Sequence, residues 1–229
     1  MFTAALFHEL DDPALIENWA SLSKRGVLTN FQTLEYVKPM ARHLAELSEA
    51  QPLFVVVYQE PEQTPVLILP LQKKRHFGIE RLDFLDYWVA DHQLPIFDPT
   101  AFENELAAVK VQRVVLDALQ GHDVLAIRAM PNSWNGIPNP LAGIAPSTKP
   151  STASYRLQLD DDSLAKARKQ SSVYKQCRRA QRRLESELGI EMVEIRQTDD
   201  INSAFDAMAV QRQAKFSGLS GRDNFDNVE

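Results

Sequence analysis

Residues 53–74 of this chain are LFVVVYQEPEQTPVLILPLQKK and contain its longest apolar runs. Residues 53–59 are rich in valine and lead into the turn-prone segment 60–63, a pattern typical of a β-strand and the turn that ends it. Residues 65–74 form a second apolar run of strand length. Two such runs around a short polar turn predict a β-hairpin.

The segment before this hairpin predicts one strand and two helices. Residues 2–10 have the pattern of a short strand. Asp12 and Pro13 then predict a helix start, because an acidic cap precedes a proline whose missing N–H is not needed in the first turn. A second helix is expected after Thr33. Apolar residues at helical spacing give the first helix a face to bury, formed by Leu15, Ile16, Trp19 and Leu22.

The segment after the hairpin continues the alternation of predicted strands and helices. Residues 80–90 predict a third strand of the central region, and residues 124–130 predict another. Between them, Thr100 and Glu103 have the spacing of a capping box at the start of a helix that ends near Gly121. The predicted order is β-α-α-β-β-β-α-β. The fold class expected is therefore α/β, with a mixed sheet.

Residues 131–150 differ from the rest because five of the twenty are proline. They predict a long loop, which is either functional or a linker between domains. Beyond it we expect a strand over 154–159, a long helix over 160–189, a strand over 190–196, and a last helix from Thr198 to Gly218.

Length and composition limit the class of protein. The chain has 229 residues, 44% of them hydrophobic, a net charge of −6 and one cysteine. This composition is typical of a globular protein and excludes collagen-like, disordered and disulfide-stapled classes. No run approaches the length of a membrane span, and the N-terminus lacks a basic signal region. We expect a cytoplasmic protein, and the acidic balance makes nucleic acid an improbable partner.

The segment 166–183 has the most distinctive charge pattern, with eight basic residues and no acidic one. As one helix, it would carry an apolar stripe on one side and a concentrated cationic face on the other. That face suits phosphate or carboxylate groups, which arginine binds bidentately. The alternative is a solvated face balanced by nearby glutamates. Cys177 falls on the apolar stripe, which favours core packing over a reactive thiol.

The segment 80–91, ERLDFLDYWVAD, is the second candidate for chemistry. As a strand it places Asp86 between Phe84 and Trp88, and an apolar setting raises a carboxyl pKa into the range useful for a general base. The alternative is an edge strand or a hydrogen-bonded structural aspartate. Asp91 and His92 end this segment, where sites of α/β proteins gather.

Several familiar sites are not indicated by the sequence. The five histidines lack the spacing of metal ligands, and a second cysteine is absent, so no metal is expected. The sequence has no nucleophile elbow and no Walker loop. The glycines at 218 and 221 follow a helix instead of preceding one, so we interpret them as a helix end and turn and not as a phosphate-binding loop.

The element order and several stretches resemble a known family. The order is that of the front of the GNAT acyltransferase fold. WASL at 19–22, NFQTLEYV at 30–37 and LPLQKKRHFGIERLDFL at 69–85 resemble the N-terminal half of tandem-GNAT acetyltransferases associated with cellulose biosynthesis, which have relatives among Fem-type aminoacyl transferases. The segments KQSSVYKQCRRAQRRLESELGIE at 169–191 and QRQAKF at 211–216 resemble the start of the second half.

This resemblance implies a two-lobed acyltransferase. Residues 1–159 would be one GNAT-like lobe and residues 160–229 the incomplete start of a second. The implied activity is acyl transfer from acetyl-CoA or another acyl-CoA to an amine or hydroxyl of a small-molecule or glycan-related acceptor. In that family the second lobe supplies the CoA cleft, whose strands this sequence lacks, so no catalytic residue is assigned.

Two hypotheses compete with an incomplete acyltransferase. One is a non-enzymatic binding module that uses the basic face on RNA, a polyanionic glycan or an acidic protein. The other is a homo-oligomer or partner chain that completes the unfinished lobe. The candidate substrate-binding residues under the acyltransferase hypothesis are Asp86, Tyr87, Trp88, Asp91, His92, Trp134, Arg168, Lys175, Arg179, Arg182 and Arg183.

Overall fold

The computed structural model describes residues 1–44, 50–86, 89–102, 104–144, 160–190 and 193–216. By its internal contacts the chain divides into two compact units, residues 1–151 and 152–229. The prediction that these are a GNAT-like lobe and the start of a second one stays a prediction. Within the described ranges, no helix is both long and apolar enough to cross a bilayer.

The first unit is a mixed α/β structure with one main sheet, as the sequence predicted. Its strands are β1 (Phe2–Phe7), β2 (Gln51–Gln59), β3 (Thr64–His76), β4 (Ile79–Phe84), β5 (Ile96–Phe97) and β6 (Val124–Ala126). The order across the sheet is β1-β2-β3-β4-β6, and the short β5 pairs with β3 beside β4. All neighbours are antiparallel except β4 and β6, which are parallel.

Helices cover both faces of this sheet. They are α1 (Pro13–Arg25), α2 (Leu34–Pro39), which continues as a π-helical turn over Met40–Leu44, and α3 (Glu105–Ala118). Short 3₁₀ turns lie at Asn30–Gln32 and Pro99–Phe102. The predicted cap of α1 is confirmed, because the Asp12 carboxylate accepts from the backbone N–H of Ala14 at 2.8 Å.

Side-chain alternation along the strands divides the core into two layers. On one face, Leu53, Val55 and Val57 of β2 pack with Val111 and Val115 of α3. On the other face, Phe54 and Val56 pack with the helix α1. Three of the four residues predicted for the buried stripe of α1 are fully buried: Leu15, Trp19 and Leu22.

Four predicted boundaries in the first unit are wrong. The strands predicted over residues 2–10 and 124–130 end early, at Phe7 and Ala126. The strand predicted over 80–90 ends at Phe84 and turns at residues 85–86. The helix predicted to begin at Thr100 begins at Glu105, with Asn104 as its cap. Thr100 instead bonds back to the Asp98 carboxylate through its N–H and its hydroxyl, at 3.0 and 2.7 Å. That local bond closes a 3₁₀ turn and delays the helix.

The predicted long loop after β6 contains a small hairpin. Strands β7 (Ser133–Trp134) and β8 (Ile137–Pro138) pair around Asn135 and Gly136, which both adopt positive φ. Two consecutive positive φ angles are what a tight hairpin turn requires. The Asn139 side chain donates to the Pro131 carbonyl at 2.9 Å and fixes the base of this hairpin.

The described part of the second unit consists of three helices: α4 (Asp161–Gln170), α5 (Ser172–Leu188) and α6 (Thr198–Phe216). The single helix predicted over 160–189 is therefore two. Ser171 adopts an extended conformation, and its hydroxyl accepts from the N–H of Tyr174, so it caps a new helix. Residues 193–196, predicted as strand, are irregular. The strand predicted over 154–159 and the end at Gly218 lie outside the described residues.

Candidate functional site

The turn that follows β4 places Asp86 inside the protein. Asp86 is fully buried, and its backbone N–H donates to the Phe84 carbonyl at 2.9 Å. Its carboxylate accepts from the side-chain amide of Gln93 at 2.7 Å. The prediction that Asp86 lies on a strand is thus wrong, although its burial next to Phe84 is confirmed. Buried carboxylates require such hydrogen bonds, because an unpaired charge is costly away from water.

Gln93 connects this carboxylate to the segment that follows β6. Its side-chain oxygen accepts from the backbone N–H groups of Arg128 and Ala129, at 2.6 and 3.3 Å. Its own backbone N–H donates to the Ala129 carbonyl at 3.0 Å. Gln93 is almost completely buried. Gln93 was not among the predicted site residues, since its signal in the sequence is a single amide between His92 and the apolar Leu94.

Two of the predicted site residues, His92 and Trp134, are brought together. Their ring centroids are 4.8 Å apart, with the ring planes tilted by 58°. The His92 carbonyl accepts from the Gln32 side chain at 3.2 Å, while Trp134 is held in the β7–β8 hairpin. Both rings are partly exposed. Segments about forty residues apart in the chain thus build one aromatic surface, which we call the aromatic pair.

Asp91 lies next to the aromatic pair in the chain, and its side chain is exposed. Its charge and that of Asp86 also reach Tyr36 of α2. Burial first, and then these two carboxylates, raise the pKa of Tyr36 to about 12. The Tyr36 hydroxyl therefore stays protonated over the whole physiological range. It is buried without a hydrogen-bond partner.

A row of polar side chains continues from this point along β3 and β4. Gln72 is paired with Asp83, and Lys74 with Arg81, so all four side chains lie on the sheet face that α1 and α2 cover. Asp83 forms an ion pair with Arg81 at 2.7 Å. Burial lowers the pKa of Lys74, and the Asp83 charge opposes this effect.

Gln72 is the exception within this row. It is fully buried, and neither its amide nitrogen nor its amide oxygen has a hydrogen-bond partner. An unsatisfied buried polar group costs about 1–3 kcal/mol of stability. Three polar atoms, one on Tyr36 and two on Gln72, are therefore buried without a hydrogen-bond partner in the first unit. Strand alternation would have shown that Gln72 faces inward, but not that its amide lacks a partner.

Tyr87 and Trp88 lie outside the described residues. The described residues contain no group of three His, Cys, Asp or Glu side chains that could hold a metal ion. The groups assembled in the first unit are therefore a buried carboxylate, an exposed carboxylate, an imidazole beside an indole, and a protonated phenol. These groups can bind a polar ring-shaped compound and accept or donate a proton.

The predicted basic residues lie in the second unit and are divided between two helices. Arg168 is in α4, whereas Lys175, Arg179, Arg182 and Arg183 are in α5. All five are exposed, and Arg183 pairs with Glu187 at 2.9 Å. The cationic face is thus shorter than predicted, and one of its arginines is neutralised locally. Cys177 is also exposed, so the prediction that it packs in a core is wrong.

Comparisons with known proteins give only structural neighbours. No family model matches the chain, and no curated protein matches it. Three solved structures align with 69% of this chain: an acetyltransferase of Trypanosoma brucei (12% identity, 100% of that chain, TM-score 0.33), glucosamine-6-phosphate N-acetyltransferase of Arabidopsis thaliana (14%, 99%, 0.34) and aminoglycoside 6'-N-acetyltransferase AAC(6')-IG of Acinetobacter haemolyticus (12%, 99%, 0.32). Because these TM-scores are low, the α/β fold is defined by the strand order and register of the sheet and not by these neighbours.

Proposed function

We propose that the first unit, residues 1–151, is the acceptor-binding lobe of a GNAT-like acyltransferase, which transfers an acyl group from acyl-CoA to an amine or hydroxyl. The observation that carries this proposal is the aromatic pair of His92 and Trp134, set beside the buried Asp86–Gln93 hydrogen bond at the end of β4. The element order supports it. A strand, two helices, three antiparallel strands, a helix and a parallel strand follow one another as the resemblance implies.

The aromatic pair indicates the shape of the acceptor. Aromatic faces pack against flat, partly apolar rings, while a nearby carboxylate orients hydroxyl or amino groups by hydrogen bonds. Asp91 supplies an exposed carboxylate in the adjacent position. A sugar or sugar-like compound fits these features, and it agrees with the glycan-related acceptor that the resemblance to cellulose-associated acetyltransferases implies.

The reaction requires the protein to position the two substrates and to provide one proton acceptor. The acceptor nitrogen or oxygen attacks the thioester carbonyl, the carbon–sulfur bond breaks, and the proton of the nucleophile passes to a base. Asp91 and His92 are the exposed groups able to accept that proton. Gln93 is a positioning residue, since it ties the segment that carries them to the backbone after β6.

The donor is expected to bind elsewhere. Residues 85–104, which connect β4 to α3, contain no glycine, whereas phosphate-binding turns before a helix use glycine to bring backbone N–H groups close to the anion. We propose that the acyl-CoA cleft belongs to a second lobe, supplied by further sequence, by another copy or by a partner chain. The resemblance to tandem-GNAT and Fem-type enzymes implies the same division between an acceptor-binding lobe and a donor-binding lobe.

The test is a binding screen with amino sugars, neutral oligosaccharides and amino acids, followed by protein NMR. We expect at least one sugar-like compound to bind, with affinity reduced about tenfold or more in Trp134→Ala and retained in Trp134→Phe, because stacking on an aromatic side chain contributes of the order of 1 kcal/mol or more. Val109→Ala, an exposed change on α3, is the matched control.

Two results would contradict the proposal. If no compound binds, or if Trp134→Ala binds as well as the original chain, the aromatic pair is not an acceptor site. Acetyl-CoA is titrated separately by calorimetry. Saturable binding of acetyl-CoA to the chain alone would contradict the placement of the donor in a second lobe.

A further inference from the structure

The tip of the β3–β4 hairpin presents an aromatic side chain to solvent. His76 and Ile79 close the hairpin, and Phe77 and Gly78 form its two-residue turn. Phe77 is 92% exposed, and Ile79 beside it is 50% exposed. The His76 ring lies against Phe77 with centroids 4.2 Å apart. The tip therefore presents apolar side chains to solvent.

The backbone at this tip is unfavourable for the residue that occupies it. Phe77 has φ 50° and Gly78 has φ 82°, so both central residues adopt the left-handed region. Two-residue hairpin turns of this kind favour Asn-Gly, because asparagine tolerates positive φ far better than a bulky side chain does. Folding alone would thus favour asparagine at position 77. A strained, fully exposed phenylalanine indicates a role outside the fold.

The charge around the tip has the opposite sign to that of the whole chain. Residues 73–81 contain four Lys and Arg residues and one Glu, whereas the chain carries a net charge of −6. Arg81 is ion-paired with Asp83, and Glu80 lies opposite Arg75, so the positive charge near the tip comes from residues 73–75. Arg75 is exposed next to His76, and Lys73 lies on the same side of β3 two residues earlier. An apolar apex above a basic collar fits an anionic surface that is apolar just beneath its charges.

We propose that the β3–β4 hairpin tip binds an anionic lipid surface, with Phe77 and Ile79 entering the interface and Lys73 and Arg75 facing the headgroups. A convex apex favours lipid over a protein partner, because a bilayer deforms around a projecting ring whereas a protein needs a matching pocket. Aromatic and basic residues in this arrangement are typical of interfacial anchors. A single anchor of this size gives weak, reversible binding.

The experiment is co-sedimentation of the whole chain with vesicles of phosphatidylcholine alone and of phosphatidylcholine mixed with phosphatidylglycerol in equal parts. We expect binding to the anionic vesicles only, weakened by salt. Phe77→Asn should reduce partitioning about tenfold to hundredfold, since it removes one buried aromatic side chain. The same change should raise thermal stability, because asparagine fits the turn, so lost binding cannot be ascribed to unfolding.

Two further variants complete the design. Replacing Lys73 and Arg75 by Glu should weaken binding to anionic vesicles about tenfold or more, while Val109→Asn, an exposed apolar position on α3, should leave it unchanged. Equal binding to both vesicle types, equal binding by Phe77→Asn, or no binding would overturn the proposal. Salt-sensitive binding to heparin that Phe77→Asn retains, without vesicle binding, would assign the tip to a soluble polyanion instead.

Discussion

The helices α3 and α5 have similar amphipathic patterns, but only α3 buries its apolar stripe. In α3, Val111 and Val115 are fully buried against β1 and β2. In α5, the apolar stripe is exposed, with Val173 and Leu188 at 64% and 65%. The difference is that α3 has a sheet to pack on, whereas no described residue buries the stripe of α5. A helical apolar stripe therefore predicts which side a helix would bury, and not that burial occurs.

The two helices are consequently stabilised by different interactions. Burying a valine side chain contributes about 1.5–3 kcal/mol, and α3 buries two, Val111 and Val115. For α5 the structure shows a Ser171 cap, a left-handed Gly189 at the C-terminus and the Arg183–Glu187 pair. The cap contributes about 1 kcal/mol and the pair a few tenths. We expect the first unit to unfold cooperatively and α5 to fray.

The largest effect should follow from Trp19→Ala in α1. Trp19 is fully buried, packs edge-on against Phe54 at 5.9 Å, and donates its indole N–H to the Gln32 carbonyl at 3.0 Å. Its removal should lower the free energy of unfolding of the first unit by about 3–5 kcal/mol. Urea denaturation followed by circular dichroism measures this. Leu106→Ala, at an exposed position of α3, is the control and should change it by less than about 0.5 kcal/mol.

A smaller effect is expected at Asp98. Burial opposes its ionisation, but hydrogen bonds from Thr100 and Arg25 outweigh burial and lower its pKa. Because the carboxyl is more acidic in the folded state, its contribution to stability is present above its unfolded pKa and is lost as the pH falls through the folded value. Asp98→Asn should lower the free energy of unfolding near neutral pH by about 1–3 kcal/mol. It should also make that free energy fall less steeply as the pH drops below about 4.

Asp160 provides the comparison in the second unit. Its pKa is also lowered, by the backbone N–H and then the hydroxyl of Ser163, but it is fully exposed at the start of α4. Acidification should therefore reduce helix content there without a cooperative transition. If Asp98→Asn leaves the acid unfolding curve of the first unit unchanged, the Arg25–Asp98 pair contributes nothing to the pH dependence.

The smallest effect should follow from Leu184→Ala in α5. Leu184 is 42% exposed, and both leucine and alanine favour helix, so stability should change by less than about 0.5 kcal/mol. Circular dichroism melting at several protein concentrations measures it. A loss above about 1.5 kcal/mol that depends on concentration would show that another copy of the chain covers this stripe in solution, and would remove the contrast with α3.

Much of the first unit could be predicted from the sequence. The hairpin of β2 and β3 follows from apolar runs that no helix period explains, and the cap of α1 from Asp12 next to Pro13. The end of β4 could not be predicted, because residues 84–90 contain aromatic and β-branched residues, which favour a strand beyond Phe84. The chain turns at Asp86 because the carboxylate bonds to Gln93, whose side chain is fixed in turn by backbone groups after β6.

The candidate site was predictable only in part. Asp91, His92 and Trp134 could be singled out by residue type, but the prediction that Asp91 and His92 lie at a strand end is wrong, because β4 ends at Phe84. The contact between His92 and Trp134 depends on the β7–β8 hairpin, which two positive φ angles at Asn135 and Gly136 allow. Tyr36 gave no signal in the sequence, and strand alternation could show only that Gln72 faces inward. Whether an inward-facing polar group finds a partner is decided by its neighbours in space and not by its spacing along the chain.

The sequence by itself thus determined the α/β class, the central hairpin and the buried face of α1, because apolar runs of strand length and apolar residues at helical spacing are local patterns. Only the tertiary structure decided that β4 and β6 are parallel, that His92 meets Trp134, and that α3 is buried while α5 is not. These features depend on contacts between segments distant in the chain. A local sequence pattern does not specify which distant segment will pack against it.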